Sequence, residues 1–388
     1  MPNYNHQHLR DHCKAQGYNY LAGYGLCAGV AQMAIQAFLA GGEEFLQFKK
    51  RLDLIATSTP LELSDRIRKA REAIAERSRR IRSEAKLAAN EVVIVDLTEE
   101  EELLTETEAF FGGIELYQKS KQHRELFTRL ISHQQVQDIL PFMESTALLE
   151  QGGMRVVDSF PGIYSRVELQ DYFNRLTQSF LHYHPRCDLA MGLGSMGHRI
   201  SILFNSTENR WLVIDANNLP PKEVVNGAEL ASAVFVAFTQ ADEEKSAVPS
   251  IAFNTTVYAT ETSHLSVKKI MQELTHSTEY KRAHEITLSK VNERSGALNT
   301  SLANIAVRNG NHHVLKLIAR AKPGALNESG YMGETPLHTA IDLNRPETVR
   351  RLLDEKASLE IKSGDGYTAF GVAVYLNNLE VMTVLLDE

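Results

Sequence analysis

The sequence predicts a mixed α+β region over residues 1–260 followed by an all-α repeat solenoid over residues 296–388, with residues 261–295 as a helical connector or a degenerate repeat. Three observations carry this. An apolar helix of small residues opens at Gly25-Leu26-Cys27-Ala28-Gly29, strand-like runs gather between His198 and Phe253, and a six-residue pattern recurs near the C-terminus at a spacing of 33.

Composition sets the frame for these elements. A chain of 388 residues is long enough for two or three cores, and 43% hydrophobic with 23% charged residues is ordinary for a globular protein. The 41 Lys and Arg against 49 Asp and Glu leave a net charge of −8, which gives no reason to expect nucleic-acid binding. Three cysteines (Cys13, Cys27, Cys187) do not make a disulfide framework, so free thiols are expected. No apolar run reaches the ~18 residues that a bilayer span requires, and the N-terminus lacks a cleavable export signal.

Taken in order, residues 1–24 are polar, with His6, His8, His12 and Cys13 close together. That spacing suits a transition metal, but with no second ligand cluster a loosely packed N-terminus is expected. The helix from Gly25 runs through Val30, Ala31, Met33, Ala34, Phe38 and Leu39 and stops at Gly41-Gly42. Residues 60–90 read as a charged helical arm, with Ile67, Ile74 and Ile81 on a narrow apolar stripe among eight basic residues. A short β-like run, Val92-Val93-Ile94-Val95, precedes a capping-box signal formed by Thr98 and Glu101. Helical patterns follow at Phe110–Tyr117, Leu126–Ile131 and Val167–Phe180, interrupted at Gly152-Gly153 and Pro161-Gly162. The first 190 residues are therefore expected to be mostly helical.

The sheet is expected late. His198–Phe204 and Trp211–Asp215 read as a hairpin, and Ala233–Phe238 and Ser250–Phe253 as further strands, giving about four strands or more. With Asn205–Glu208 as the loop, Phe204 pairs with Asn209 and His198 falls opposite Asp215. Opposed residues share a face, about 5 Å apart at Cβ.

The repeat is specific. Thr335-Pro336-Leu337-His338-Thr339-Ala340 recurs as Thr368-Ala369-Phe370-Gly371-Val372-Ala373, and an earlier copy begins at Ser301. A period of 33 with T-P-L-H-x-A identifies these as ankyrin repeats, about three in number, each a helix pair that buries its apolar face on its neighbours. The pattern ends at Asp387-Glu388 without a polar capping repeat, so the array is expected to be truncated or covered by a partner.

Cysteine chemistry needs a nucleophile at a helix start, a histidine to take its proton and a polar group to orient that histidine. Cys27, His198 and Asp215 occur in that order. Their setting resembles the papain-like cysteine protease fold, in particular its YopT-like bacterial effector branch. There the cysteine opens the central helix, the histidine starts a strand after glycines (here Gly192, Gly194 and Gly197), and the aspartate ends the next strand. Joined to ankyrin repeats, the whole chain resembles the type IV-secreted ankyrin-repeat effectors of intracellular bacteria.

The resemblance implies a protease-like thiol hydrolase or transferase in which Cys27 attacks a carbonyl carbon, His198 shuttles the proton and Asp215 fixes its tautomer. Protease, deamidase, transglutaminase and acyltransferase reactions share these parts. The family's oxyanion glutamine would stand at Leu21, which leaves Asn19 as the substitute donor, with Tyr24 as another. No cofactor or metal is implied; the His182, His184 and Cys187 cluster lacks a second ligand set. The implied partner is a host protein held on the finger loops, through Tyr331, Met332, Asp365 and Tyr367, in the host cytoplasm and also the nucleus. The alternative is a non-catalytic interaction scaffold whose repeats bind a host protein.

Overall fold

The computed structural model describes residues 6–18, 26–86, 88, 91–118, 146–183, 187–239, 250–295 and 298–387. Among the described residues five helices come first: α1 His6–Ala15, α2 Leu26–Ala40, α3 Gly42–Thr57, α4 Pro60–Glu84 and α5 Glu99–Gln118. A short α6 (Thr146–Glu150) leads to β1 (Met154–Ser165), α7 (Arg166–Tyr183), β2 (Leu189–Gly194), β3 (Arg199–Asn205), β4 (Arg210–Ile214) and β5 (Lys222–Val224). Then come α8 (Gly227–Thr239) and β6 (Ser250–Thr260). The six strands form one antiparallel sheet in the order β1-β6-β2-β3-β4-β5.

Both faces of the sheet are covered, which explains why its strands read as nearly continuous apolar runs. On one face Leu26, Val30 and Ala34 of α2 share a core with Ala190, Leu203, Ile214 and Tyr258. On the other, Phe173, Leu176 and Phe180 of α7 pack with Met191, Ile202, Phe204 and Trp211. The Trp211 indole N–H is satisfied inside this layer by the Thr177 hydroxyl at 2.9 Å.

Several expectations are corrected. Ala233–Phe238 is not a strand but the second half of α8. Its cap was legible: the Asn226 side chain accepts from the Glu229 N–H at 2.9 Å, and the Glu229 carboxylate takes the Val225 N–H and the Asn226 amide. Pro161-Gly162 does not interrupt a helix; it lies inside β1, an edge strand, where a missing N–H costs no ladder bond. Gly162 is needed there, because a Cβ would lie 1.9 Å from the Tyr164 hydroxyl. Val92–Val95 pairs with no strand among the described residues. Of the N-terminal residues expected to pack loosely, 6–15 form a packed helix: α1 buries Leu9, His12 and Cys13, and His12 Nε2 lies 3.2 Å from the Ser58 carbonyl. The run Leu126–Ile131 lies outside the described residues. The capping box of α5 forms as read, with Thr98 N–H to Glu101 Oε2 at 3.0 Å and Glu101 N–H to Thr98 Oγ1 at 3.2 Å.

After three short helices (His264–Leu274, Thr278–His284 and Leu288–Asn292), helix pairs stack from Leu302–Arg308 to Leu379–Leu386. The repeat motif has a mechanical reading. Thr335 caps the helix Pro336–Asp342, Pro336 takes its first position, and the buried His338 ring links the Thr335 hydroxyl (2.8 Å) to the Tyr367 carbonyl of the next repeat (3.2 Å). Asn344 and Asn377, 33 apart, end equivalent helices in the left-handed conformation. The first repeat helix shares its core with Ile163 of β1 and Ala252 of β6, so repeats and sheet are packed together.

Two histidines, the buried His12 and the partly buried His284, set an acid limit on this fold. Burial, with the nearby His8, pushes His12 down to about 4, and burial pushes His284 down to about 4 among Phe160, Tyr172 and Tyr280. Both are depressed bases, so the unfolded chain takes up their protons first, and stability falls as pH drops from about 6.5. The urea midpoint is expected to decrease steadily from pH 7 to pH 4.5, and less steeply in His284→Phe.

Candidate functional site

Cys27 is the second residue of α2, at the helix start where backbone N–H groups lack intrahelical acceptors. His198 immediately precedes β3, and Asp215 immediately follows β4. The register differs from the expected one. Asn205 pairs with Arg210 and Ser201 with Ile214, so the loop is Ser206–Asn209, one residue further on than read from sequence. The Asn205 side chain fixes it by accepting the N–H groups of Thr207 and Glu208 at 3.0 Å each, and Asn209 takes a left-handed φ of 50°. The slip moves the pairing by two positions, which preserves the face of every side chain. His198 and Asp215 thus still meet, diagonally.

The contact is short. His198 Nε2 donates to Asp215 Oδ1 at 2.8 Å, with the side chains only 9% and 4% exposed. Asp215 also accepts the Asn217 N–H on Oδ1 at 2.9 Å and the Asn218 amide on Oδ2 at 2.8 Å. With Nε2 committed to the carboxylate, Nδ1 is the nitrogen left for the Cys27 thiol, which hydrogen-bonds the ring. The packing of α2 on the sheet face over β3 is what brings the helix start to the strand start.

The electrostatics follow from this packing. Burial pushes the Cys27 thiol up, but the bond to His198, its charge and the backbone and charge of Arg199 outweigh burial and leave it below the ordinary range. Burial pushes His198 down, while Asp215 and Cys27 more than reverse this and raise it. Burial likewise works against the Asp215 carboxylate, and His198 with the Asn217 and Asn218 donors lowers it nonetheless. The arrangement favours a thiolate beside an imidazolium. By contrast, burial and Asp188 push Cys187 up to about 11, the direction of an inert thiol.

Three neighbours were not singled out from the sequence. Arg199 contributes backbone and charge to Cys27, and Asn218 holds the second carboxylate oxygen. Phe238 sets its ring edge-on to His198 at 6.0 Å and stacks on Phe253 at 5.2 Å, screening the imidazole from water. Reading α8 as a strand hid Phe238; the Asn217-Asn218 pair had a signal, since an Asp followed by two Asn is an Asx-turn sequence. Asn19 and Tyr24 lie outside the described residues. Among the described residues, no group of three or more His, Cys, Asp or Glu is placed to hold a metal.

The finger-loop residues come together separately. The Gly364 N–H donates to the Met332 carbonyl at 2.6 Å, which ties the two loops together, and Tyr331, Met332, Asp365 and Tyr367 on them are exposed. The close approach requires glycine, because a Cβ on Gly364 would lie 2.4 Å from the Met332 carbonyl oxygen. Gly364→Val is expected to destabilise the repeats by about 1–3 kcal/mol, read as a lower urea midpoint.

A family model for ankyrin repeats (3 copies) matches residues 303–388, so the C-terminal part of the chain consists of ankyrin repeats, a scaffold for protein–protein interaction. No curated protein matches the chain. Among solved structures, a chain of the crystal structure of the yeast ribosomal protein Rps3 in complex with its chaperone Yar1 is similar. The identity is 20% over 32% of this chain and 85% of that one, with a TM-score of 0.26. No helix among the described residues is long and apolar enough to cross a membrane.

Proposed function

We propose that the chain is a papain-like thiol hydrolase or transferase, in which Cys27 is the nucleophile, His198 its base and later acid, and Asp215 the group that orients and charges the imidazole. The observation that carries this is the buried relay from the thiol at a helix start through the His198 ring to Asp215 at 2.8 Å. Three residues distant in sequence, from a helix and two strands, meet in the order that acyl transfer needs.

In the first step the thiolate adds to a carbonyl carbon, and the imidazolium gives its proton to the departing amine or alcohol as the C–N or C–O bond breaks. A thioester remains on Cys27. In the second step neutral His198 takes a proton from water, or from an acceptor amine, which attacks the thioester and releases the thiol. The N–H of Cys27 itself is the proposed first donor to the developing oxyanion, with Asn19 as the proposed second.

The ankyrin repeats would hold the protein acted upon, with Tyr331, Met332, Asp365 and Tyr367 as contact residues. Aromatic and Met side chains give contact area at low entropic cost. The resemblance to bacterial ankyrin-repeat effectors supports secretion into a host cell and action on a host protein there. The testing experiment is alkylation of Cys27 as a function of pH, with and without His198.

A further inference from the structure

Between α4 and α5 runs an extended segment, Glu91-Val92-Val93-Ile94-Val95-Asp96-Leu97, that the proposed chemistry does not use. Four β-branched residues in a row favour a strand, yet it belongs to no sheet of the structure. Exposure alternates as in a half-covered strand. Val92 and Ile94 are 87% and 83% exposed, while Val93 and Val95 are partly buried. Among the described residues, the backbone N–H and C=O groups from Val92 to Val95 make no hydrogen bond, so the segment offers a full set of ladder donors and acceptors.

The conformation is held from its ends. Arg82 of α4 donates to the Glu91 carbonyl at 2.8 Å, and Arg77 reaches the Asp96 carbonyl at 3.5 Å while clamping Glu101 at 2.6 and 2.8 Å. A strand held extended before binding loses less entropy on docking than a free peptide. Acidic residues flank it, with Glu91 before and Asp96, Glu99, Glu100 and Glu102 after. A second copy of this chain would bring like charges opposite one another, which disfavours self-pairing. The complement is a sheet edge with an apolar groove beside it and a basic rim.

We infer that residues 91–97 are a docking strand that adds to the open sheet edge of a folded partner of that chemistry, with Val92 and Ile94 entering its apolar groove and the flanking carboxylates meeting lysine or arginine at its rim. The probe is a small ubiquitin-like modifier protein, isotope-labelled for NMR, which combines a free edge strand, an adjacent apolar groove and a basic rim. It is titrated with the full-length Cys27→Ala chain, so that no thiol chemistry on the probe intrudes.

Shifts confined to the modifier's edge strand and groove are expected. Binding should weaken at least tenfold in Val92→Asp/Ile94→Asp, and several-fold between 50 and 500 mM salt. Both substituted side chains are exposed, so the variant is expected to keep the melting temperature of its parent. Unmoved modifier resonances at excess chain would overturn the proposal. So would shifts elsewhere on the modifier, unchanged binding by the double variant, or dimerisation of the chain through residues 91–97.

Discussion

Iodoacetamide is expected to label Cys27 at pH 6 about tenfold faster than an ordinary exposed thiol, and His198→Ala to abolish that advantage. The size follows from two opposed effects. An ordinary thiol of pKa about 8.5 is only roughly 0.3% ionised at pH 6, so holding the thiolate at that pH raises the reactive population on the order of a hundredfold or more. A less basic thiolate is also a weaker nucleophile, by roughly 0.4–0.5 log units for each unit of basicity lost, and this returns part of the gain. About tenfold remains.

Removing the His198 ring takes away both the hydrogen bond and the positive charge that outweigh burial at Cys27. Burial is then opposed only by the Arg199 backbone and charge, and the thiol should rise. Because His198→Ala also strands the buried Asp215 charge, His198→Gln is the companion variant: its amide can donate to Asp215 yet cannot hold a proton for Cys27. Mass spectrometry of the peptide containing Cys27 distinguishes it from Cys13 and Cys187, which are buried as Cys27 is. A wild-type profile centred near pH 8.5, or equal profiles in wild type and His198→Gln, would remove the catalytic reading and leave the repeats as the functional part.

How much of this was legible follows from what each signal depends on. The repeats depend on local chemistry, a Ser or Thr cap at the start of each first helix and a left-handed Gly or Asn after it, so their period appears in sequence outright. Helix α2 was equally plain, because Gly41 stops it and its core face is apolar apart from the buried Gln32 and Gln36. The sheet was harder. With both faces buried, the runs Ile251–Phe253 of β6 and Ala233–Phe238 of α8 are both continuously apolar, and periodicity cannot separate a strand from a helix there. Only the Asn226–Glu229 cap marked the helix. β1 was hidden for a different reason, since Pro161 and Gly162 normally break structure and are accepted here by an edge position and by the Tyr164 ring. The site survived a wrong register because a slip of two residues keeps every side chain on its face; a slip of one would have separated His198 from Asp215.

Asp215 supplies two things that substitution can separate, orientation and charge. In Asp215→Asn the amide has one acceptable orientation. The Asn217 N–H points at the same oxygen as His198 Nε2, so that position must remain an acceptor, and the new NH2 group turns toward Asn218. Asn218 can then rotate its own amide to present oxygen, and the network closes again. His198 keeps its tautomer and position, but the negative charge that raises it is gone. The imidazolium weakens, the thiolate weakens with it, and the alkylation profile of Asp215→Asn should move to higher pH while the fold is retained.

Asp215→Ala removes orientation as well. His198 Nε2, the Asn217 N–H and the Asn218 amide all lose their acceptor in a buried setting, at a cost of about 1–3 kcal/mol for each group left unsatisfied. Its melting temperature should fall, and any turnover should drop by roughly 10⁴, with a smaller drop for Asp215→Asn because His198 keeps its tautomer. The sign of the pH dependence adds an independent check. Asp215 is held below its ordinary value, so its contribution to stability is present at neutral pH and lost as pH falls through its folded value; the raised His198 contributes below its ordinary value and is lost as pH rises through its folded one. Asp215→Asn should therefore cost stability at pH 7 and progressively less toward pH 3. If the two variants instead behave alike in alkylation and in melting, the carboxylate acts only as a structural hydrogen-bond acceptor, and the charge has no part in activating Cys27.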